Sequence, residues 1–556
     1  MALNISKRTL FYTALAIAVI MLYILPLGSY PLMEPDEGRY SEIPREMIAS
    51  GNYITPMLNY VKYFEKPVFL YWMNTASFHL FGQNEFAARI GTALCALAGA
   101  GVTAWLGAFM FGTQAGIISG IVTATSLLYF AIGTINITDM PLSFFLTLAF
   151  AAFYVAHKSK NKRWYLLFYG AAALAVLTKG LVGVVLPGGV ILCYILATRQ
   201  WKLFYQPLYI PGIFLFFALS VPWFYLVCRD NPDFFRFFFI QEHFLRYMTK
   251  MHHRYEPFWY FLPMIPAGLM PWTAFFFALF SKKSVVRDPG SAEKRDSVIY
   301  LLLWSGVILL FYSASDSKLI PYIVPCLPPL AILIGADIMR MAERREWHGW
   351  VLQMLCIFGG LLGAGLLIYP LVGEHASAAQ AWPVAVHTGL SLIFGPLFAW
   401  YLTTPRRRDF SMAIRMLCFC AIVFIAGLLG IMGFVAPERT MKGVSDVIIK
   451  EMKPGDTIVA YDEVLQGIPF YTKQRVMMVG NPGELSYGAS QPEGKGWFLS
   501  EKEFLPLWHA KKRQFILVTK EGGRFNELFP DGQTNASKTV EVGKYIILFN
   551  REREDK

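Results

Sequence analysis

Long runs of apolar residues, separated by short polar connectors, fill the first 435 residues of this 556-residue chain. A helix that crosses a bilayer needs about 20 mostly apolar residues, so the pattern predicts a polytopic α-helical membrane protein with about 13 transmembrane helices. Only 16% of the residues are charged and 55% are hydrophobic, which excludes an ordinary soluble globule. The predicted spans are residues 9–28, 86–110, 113–132, 139–157, 164–179, 181–198, 206–228, 257–280, 297–314, 319–340, 349–371, 382–403 and 411–434.

Basic residues cluster in the connectors, and the predicted order of spans places every cluster on the same side of the membrane. The positive-inside rule makes that side cytoplasmic, so we expect a cytoplasmic N-terminus, retained as an anchor, and a C-terminal region outside. The formal charge of +12 then reflects topology rather than a nucleic-acid-binding surface. The clusters are Lys7-Arg8, Lys158/Lys160/Lys162/Arg163, Arg199/Lys202, Lys282/Lys283/Arg287/Lys294/Arg295, Arg340/Arg344/Arg345 and Arg406-Arg407-Arg408.

Beyond residue 435 the composition becomes that of a soluble domain. We divide the chain into a membrane domain, residues 1–435, and a small α/β domain, residues 436–556, whose size of about 120 residues suits a single core. No glycine-rich phosphate loop is present there, which favours a lid, a structural cap or a partner-binding module over a nucleotide site. All seven cysteines lie in or beside apolar segments, so no disulfide framework is expected. Strands are predicted at Thr457–Tyr461, Phe515–Thr519 and Tyr545–Phe549, and helices at Val444–Met452 and Glu501–His509.

Two long polar loops on the outer side, residues 29–85 and 229–256, are where we expect the chemistry to be. Residues 37–50 have helical spacing with one apolar stripe, which predicts a helix lying flat at the membrane interface. Asp36 precedes this helix and is either its N-cap or a group aimed into the site. The charged residues that follow are interpreted as a solvated helix face: Glu37, Glu42 and Glu46, with Arg39 and Arg45 as their partners.

Three further ionisable residues lie at membrane depth, where an unpaired charge is costly and usually has a function. Asp139 starts the fourth predicted span, Lys179 lies in the outer turn between two apolar helices, and Lys318 precedes the tenth span. The alternative is an ion pair between Asp139 and Lys179 with a purely structural role. The candidate catalytic residues are Asp36 and Asp139, and candidates for substrate binding include Lys179, Glu37 and Arg39.

Basic residues of the outer loops are suited to hold a phosphate at the membrane surface, because Lys and Arg donate charge-assisted hydrogen bonds to phosphate oxygens. The candidate phosphate cradle consists of Lys66, Arg246, Lys318 and Tyr322. Glu65 and His243 have the ligand types of a divalent-cation site, although a hydrogen-bonded histidine without a metal is the more common outcome. This chemistry requires no cofactor, and the one candidate for a bound cofactor is a divalent cation.

At these residues the sequence resembles the GT-C class of glycosyltransferases that use polyprenyl-phosphate sugars, which are relatives of the protein mannosyltransferases. Within that class it is most similar to the bacterial transferases that attach aminoarabinose to lipid A. The resemblance covers about the first 330 residues. In the last motif the family often has Lys-Leu-Pro-x-Tyr, whereas in this sequence the proline lies one position later and the spacing from lysine to tyrosine is kept. The motifs are Glu34-Pro35-Asp36-Glu37-Gly38-Arg39-Tyr40, Arg45-Glu46-Met47, Tyr63-Phe64-Glu65-Lys66-Pro67, Thr178-Lys179-Gly180, Glu242-His243 and Lys318-Leu319-Ile320-Pro321-Tyr322.

The resemblance implies transfer of 4-amino-4-deoxy-L-arabinose from undecaprenyl phosphate to a lipid A phosphate at the periplasmic face of the bacterial inner membrane. A single displacement at the anomeric carbon predicts inversion, driven mainly by cations that stabilise the departing phosphate. A phosphate acceptor has a second pKa of about 6 and arrives as an anion, whereas a hydroxyl acceptor needs Asp36 as general base. The implied roles are a carrier phosphate held by Lys66, Arg246, Lys318 and Tyr322, Asp36 and Asp139 near sugar and acceptor, and a metal at Glu65 and His243.

Three alternatives stay open at the level of sequence. The same motifs suit a transferase that moves another lipid-linked sugar to a protein hydroxyl or an envelope glycan. A lipid or solute transporter also has polar residues in a helical bundle, but here the ionisable residues concentrate at one face and no matching broken helices repeat. An envelope scaffold leaves the outer acidic and basic residues unexplained.

Overall fold

A computed structural model describes residues 7–245, 256–347, 349–372, 376–404, 406–520, 528–529 and 534–551. The chain forms two compact units, each built from three segments. The second unit groups the first long polar loop with the C-terminal region, whereas the predicted division assigned that loop to the membrane domain. The boundary between a membrane and a soluble domain at residue 435 stays a prediction. The first unit is Met1–Leu27, Arg89–Leu226 and Phe235–Phe434, and the second is Gly28–Ala88, Val227–Phe234 and Val435–Lys556.

Helices predominate because, in lipid, backbone polar groups have to be satisfied within their own segment. A π-helix covers Arg236–Leu245, and the 3-10 helices are Leu25–Gly28, Trp201–Phe204, Ile320–Cys326, Gly483–Leu485 and Pro492–Gly494. The α-helices are α1 Lys7–Ile24, α2 Asp36–Ser50, α3 Phe69–Phe81, α4 Glu85–Phe111, α5 Thr113–Thr125, α6 Leu127–Gly133, α7 Asp139–Ser159, α8 Trp164–Lys179, α9 Val182–Thr198, α10 Ile210–Asp230, α11 Phe261–Gly268, α12 Thr273–Ala278, α13 Ala292–Ala314, α14 Leu327–Arg344, α15 Gly349–Val372, α16 Ala376–Thr403, α17 Phe410–Glu438, α18 Lys442–Glu451, α19 Gly467–Thr472, α20 Ser486–Ala489 and α21 Glu501–Ala510.

The chain is a multi-pass membrane protein by the length and composition of its helices. Within the described ranges, nine helical stretches are long and apolar enough to cross a membrane, and ten if the bent pair of α5 and α6 counts as one span. Helices α8 and α9 are apolar but have only 16 and 17 residues. The predicted count of about 13 spans is therefore not confirmed.

Two predicted spans differ in the structure for identifiable reasons. The span predicted over residues 257–280 is not one continuous helix, because this segment contains the short helices α11 and α12, of 8 and 6 residues. Pro271 lies between them, and a proline lacks the N–H that a continuing helix needs. The span predicted over residues 113–132 bends by 64° between α5 and α6, where Ser126 has extended backbone at φ −72° and ψ 132°.

Small residues allow helices of the first unit to approach closely. A Cβ on Gly116 of α5 would lie 2.5 Å from the backbone nitrogen of Ala108 in α4. A Cβ on Gly335 of α14 would lie 2.8 Å from the carbonyl oxygen of Ala115 in α5. Such crossings give van der Waals contact where lipid tails remove the usual hydrophobic drive for helix association.

A mixed six-stranded sheet lies in the second unit, in the order β5-β4-β3-β6-β8-β7. The adjacent parallel strands β3 and β4 are buried along their whole length, and apolar side chains pack on both faces of the sheet. The three strands and two helices predicted for the C-terminal region are confirmed to within two residues at each end. The strands are β1 Met57–Leu58, β2 Val61–Lys62, β3 Thr457–Tyr461, β4 Val476–Val479, β5 Phe498–Leu499, β6 Phe515–Lys520, β7 Lys538–Val542 and β8 Tyr545–Phe549.

Candidate active site

Asp139 and Lys179 form an ion pair in the first unit, with Nζ of Lys179 2.5 Å from Oδ1 of Asp139. Asp139 is the first residue of α7 and Lys179 is the last residue of α8. Nζ of Lys179 also lies 4.4 Å from the centroid of the Tyr322 ring, a cation–π contact. The structure therefore brings three predicted site residues together. The ion pair considered as a structural alternative exists, and its contact with Tyr322 joins it to the candidate phosphate cradle.

Lys318 is a buried cation whose described partners are backbone carbonyl groups. It is 5% exposed, and its Nζ donates hydrogen bonds to the carbonyl oxygens of Glu256, at 2.8 Å, and Ser315, at 2.6 Å. In the part of the chain that the structure describes, no carboxylate lies within ion-pair distance of it. Neutral partners leave its positive charge uncompensated, so an anion that arrives nearby is strongly attracted in this low-dielectric setting.

A second group of charges lies at the N-terminal end of α2, in the second unit. The helix is preceded by Pro35 without a side-chain cap, so the N-cap alternative for Asp36 is wrong. The Asp36 side chain is 53% exposed, and its Oδ1 lies 3.5 Å from Nη1 of Arg39. Nη2 of Arg39 lies 2.8 Å from Oε2 of Glu484, which comes from the C-terminal region. Arg39 is therefore held between two carboxylates that differ in exposure.

The predicted solvated face of α2 is wrong. Glu37, Glu42 and Glu46 are at most 2% exposed, because α2 packs against α3 and α19 within the second unit. The expected partnership of Arg45 is present, since its Nε and Nη2 each lie 2.6 Å from an oxygen of Glu42. Burial, together with the adjacent Glu42 carboxylate, raises the pKa of Glu46 well above its ordinary value. The charges of this helix thus form a buried network.

The motif around residue 65 adds to the charges at the start of α2. Nζ of Lys66 donates to the carbonyl oxygen of Glu65 at 3.0 Å. Tyr63 is 2% exposed, its ring centroid lies 6.0 Å from the guanidinium carbon of Arg39, and its hydroxyl has no hydrogen-bond partner among the described residues. Glu65 and Lys66 both act electrostatically on Glu484. The α2 charge cluster, as we call it, consists of Asp36, Arg39, Tyr63, Glu65, Lys66 and Glu484.

Burial also raises the pKa of two further carboxyl groups in this unit. The pKa of Glu484 is raised to about 7 by burial, against the lowering effect of Arg39 and with a further raise from Glu65. The pKa of Glu34 is raised to about 8 by burial, although two backbone N–H groups lower it. Those donors are Gly467, 2.6 Å from Oε1, and Gln466, 3.1 Å from Oε2. Glu34 therefore joins the chain before α2 to the start of α19.

No candidate residue was predicted beyond residue 435, so Glu484 and Gln466 were missed. The Gln466 side chain donates to the Glu484 carboxylate, and Glu484 in turn pairs with Arg39. No local pattern marks either residue, because each partner of Glu484 is distant in the chain. The sequence feature that relates to this contact is the pair of glycines Gly38 and Gly467, which lets the two backbones approach closely: a Cβ on Gly38 would lie 2.7 Å from the Gly467 nitrogen.

Two predicted residues fall outside what the structure describes. Arg246 lies outside the described residues, and His243 lies in the π-helix but its side chain is outside the description. The metal site predicted at Glu65 and His243 therefore stays a prediction. Within the described residues, no group of three or more His, Cys, Asp and Glu side chains is placed to hold a metal ion.

Comparison with known proteins gives matches in both parts of the chain. Residues 65–226 match the family described as dolichyl-phosphate-mannose-protein mannosyltransferase, and residues 444–531 match the aminoarabinose transferase C-terminal domain. The undecaprenyl phosphate-α-4-amino-4-deoxy-L-arabinose arabinosyl transferase of Aeromonas hydrophila is 30% identical over 91% of this chain and 92% of its own length. A protein of the same name from Proteus mirabilis is 30% identical over 90% of each chain.

A solved structure also matches along the whole chain. The crystal structure of ArnT from Cupriavidus metallidurans bound to undecaprenyl phosphate is 28% identical, covers 98% of each chain and superposes with a TM-score of 0.84. This match confirms the predicted fold class, a polytopic helical membrane protein of GT-C type with a small C-terminal α/β domain.

Proposed function

Since the chain belongs to the family of undecaprenyl phosphate-α-4-amino-4-deoxy-L-arabinose arabinosyl transferases, we propose that it transfers this sugar from undecaprenyl phosphate to a phosphate of lipid A. The observation that carries the proposal is 30% identity sustained over 91% of the chain. The resemblance to GT-C transferases is thereby confirmed, and the chain is a glycosyltransferase. The acceptor and the placement at the periplasmic face of the inner membrane are parts of the proposal, the latter supported by the distribution of the basic clusters.

The donor phosphate is the first group to which we assign residues. When the bond between the anomeric carbon and the phosphate oxygen breaks, the carrier phosphate gains negative charge. Fixed cations stabilise that charge without reorganising, which is usually the largest catalytic contribution in such reactions. Lys318 supports this role best, because it is a buried cation with only carbonyl partners in the described part of the chain. The remaining residues proposed for the phosphate are Lys66, Arg246 and Tyr322.

The two candidate aspartates differ in environment and therefore in proposed role. Nζ of Lys179 lies 2.5 Å from Oδ1 of Asp139 and fixes this carboxylate in place, which suits Asp139 to positioning. Asp36 is half exposed and only loosely paired with Arg39, so it is free to bind the ammonium group of the donor sugar. A phosphate acceptor is already an anion at neutral pH and requires no strong base. Both aspartates thus orient substrates in this proposal.

Mass spectrometry of lipid A tests the proposal in cells that make undecaprenyl-phosphate aminoarabinose. We expect a pentosamine mass with the unsubstituted protein, its loss with Asp36→Asn, and its retention with Asp446→Asn, a matched surface aspartate. Unchanged lipid A despite good expression and available donor would refute this function. The match of residues 65–226 to the mannosyltransferase family would then favour transfer of another lipid-linked sugar to a protein hydroxyl, detectable on envelope proteins.

A further inference from the structure

A polar cleft of about 370 Å³ opens in the second unit, between the end of α17, the start of α18 and the turn that joins β7 to β8. Its walls include Glu438, Arg439, Thr440, Gly443, Lys544 and Tyr545. None of these residues belongs to the α2 charge cluster. The cleft is thus a separate feature of the same unit, and the donor chemistry described above does not use it.

The fold presents Lys544 at one edge of this cleft on a short, well-defined turn. Val542 of β7 pairs with Tyr545 of β8, so only Gly543 and Lys544 form the connection. Gly543 has φ 58°, a conformation that favours glycine and closes a tight hairpin. On the opposite wall, Gly443 has no side chain, and a Cβ there would lie 3.3 Å from Cγ1 of Val542. A larger residue at position 443 would fill the space.

The charge of the cleft favours an anion. Arg439 and Lys544 both line it, and within the described ranges neither has a carboxylate at ion-pair distance. Glu438 is the one acidic residue among the lining side chains, so two cations face one carboxylate. A phosphate monoester carries a charge of about −1.5 to −2 and accepts charge-assisted hydrogen bonds from both types of cation. Nearby lysines already have carboxylate partners: Lys442 with Glu85, and Lys520 with Glu463.

The cleft also lies beside the segment that leads into α2. The backbone N–H of Glu34 donates to the carbonyl oxygen of Arg439 at 2.7 Å, and Asp36 follows two residues later. Helix α17 is apolar as far as Ala436 and ends at Glu438, so the residues that line the cleft follow directly on an apolar helix in the chain. A membrane-spanning helix ends near the lipid headgroups, which favours a lipid phosphate over a phosphate free in solution.

We propose that this cleft binds a phosphate of the acceptor lipid, namely the one that does not receive the sugar. The proposal rests on the proposed function, because lipid A is the acceptor there and carries a phosphate at each end of its disaccharide. Arg439 and Lys544 hold the second phosphate, and the acceptor is thereby oriented relative to Asp36. The cleft is an acceptor-positioning site and takes no part in bond breaking.

The test measures transfer by the purified full-length enzyme from undecaprenyl-phosphate aminoarabinose to two acceptors, lipid A with both phosphates and lipid A with one. We expect Lys544→Gln to raise the KM for the doubly phosphorylated acceptor about tenfold, the effect of one charged hydrogen bond, with kcat and the donor KM unchanged. For the singly phosphorylated acceptor, Lys544→Gln should have no effect, because the group that Lys544 binds is already absent. Arg439→Gln should behave in the same way, and Lys512→Gln, an exposed lysine of the same unit, should match the unsubstituted enzyme for both acceptors.

Several outcomes would contradict the proposal and are distinguishable from one another. An unchanged acceptor KM in both Lys544→Gln and Arg439→Gln would refute the cleft while leaving the proposed function intact. An equal loss for both acceptors would also refute it, because the effect would not depend on the second phosphate. Competition by inorganic phosphate that depends on Lys544, with equal KM for the two lipids, would assign the cleft to free phosphate. No transfer to either lipid by the unsubstituted enzyme would refute the proposed function itself.

Discussion

The ion pair between Arg39 and Glu484 should respond unequally to the loss of its two partners. Burial holds the pKa of Glu484 at about 7, above its ordinary value of 4.5, so the folded state favours the neutral carboxyl more than the unfolded chain does. Glu484→Gln mimics that neutral carboxyl, and Asp36 remains 3.5 Å from Arg39, so we expect this variant to keep the free energy of unfolding at pH 7 or to raise it by up to about 3 kcal/mol. After Arg39→Met, Glu484 takes up a proton at pH 7 for under about 1 kcal/mol, since its pKa is already about 7. That variant should cost about 1–2 kcal/mol in total, mostly a lost hydrogen bond.

Chemical denaturation of the purified full-length protein in detergent at pH 7 measures both effects, and Arg39→Met should be less stable than Glu484→Gln by at least about 1 kcal/mol in the free energy of unfolding. Above pH 7, protonating Glu484 becomes harder by about 1.4 kcal/mol per pH unit, so the loss caused by Arg39→Met should grow while the effect of Glu484→Gln levels off. The surface variant Asp446→Asn serves as the control. A Glu484→Gln variant that is less stable than Arg39→Met at pH 7, or a difference that does not grow above pH 7, would refute this reasoning.

Three further predictions concern other contacts of the site. Burial raises the pKa of Glu34 from 4.5 to about 8, so between these pH values the folded state binds a proton that the unfolded state does not. The melting temperature should therefore fall as pH rises towards 8, and this fall should be absent in Glu34→Gln. Gly467→Ala should lower the free energy of unfolding by about 1–3 kcal/mol because its methyl group would overlap Oε1 of Glu34, whereas Gly101→Ala, with nothing within 4 Å, should not. Asp139→Asn and Lys179→Met should each lower kcat/KM at least tenfold, and a double variant that is clearly worse than both would show that the two do not act as a pair.

Local pattern was sufficient to predict most of the elements. Helical spacing after Asp36 predicts α2, which ends at Ser50 as expected, before Gly51 at φ 69°. The strands of the C-terminal region follow from short apolar runs between turn residues. The length of an apolar run predicts that it crosses the membrane but does not show where a helix breaks inside the run, so the interruption at Pro271 was missed.

The environment of the predicted site residues was not predictable in the same way. Charges at helical spacing are usually solvated, and Glu37 and Glu42 are buried because their neighbours come from distant parts of the chain. The contact between Glu34 and Gly467 joins residues 433 apart, and the pairing of Arg39 with Glu484 is similarly remote. In contrast, Asp139 and Lys179 were paired correctly as an alternative, because both lie at ends of apolar helices where an isolated charge is costly.

The discontinuous build of the second unit sets the order in which the chain can fold during synthesis. Its first segment ends at Ala88 and its last begins at Val435, an interval of 435 − 88 = 347 residues. At a translation rate of about 5–20 residues per second, the first segment waits roughly 17–70 s for its partner. We therefore expect Glu37, Glu42 and Glu46 to be in water during that time, although the finished unit buries them.

Asn59 shows how late the first segment is completed. Its side-chain amide donates to the carbonyl oxygen of Val476 at 2.7 Å and accepts from the N–H of the same residue at 2.8 Å. A chain that stops before β4 lacks this partner, as well as Gly467 if it stops earlier still. Shortening the C-terminus therefore removes the surroundings of α2 rather than an independent appendage, and nascent chains have to keep this segment soluble until the last strands are made.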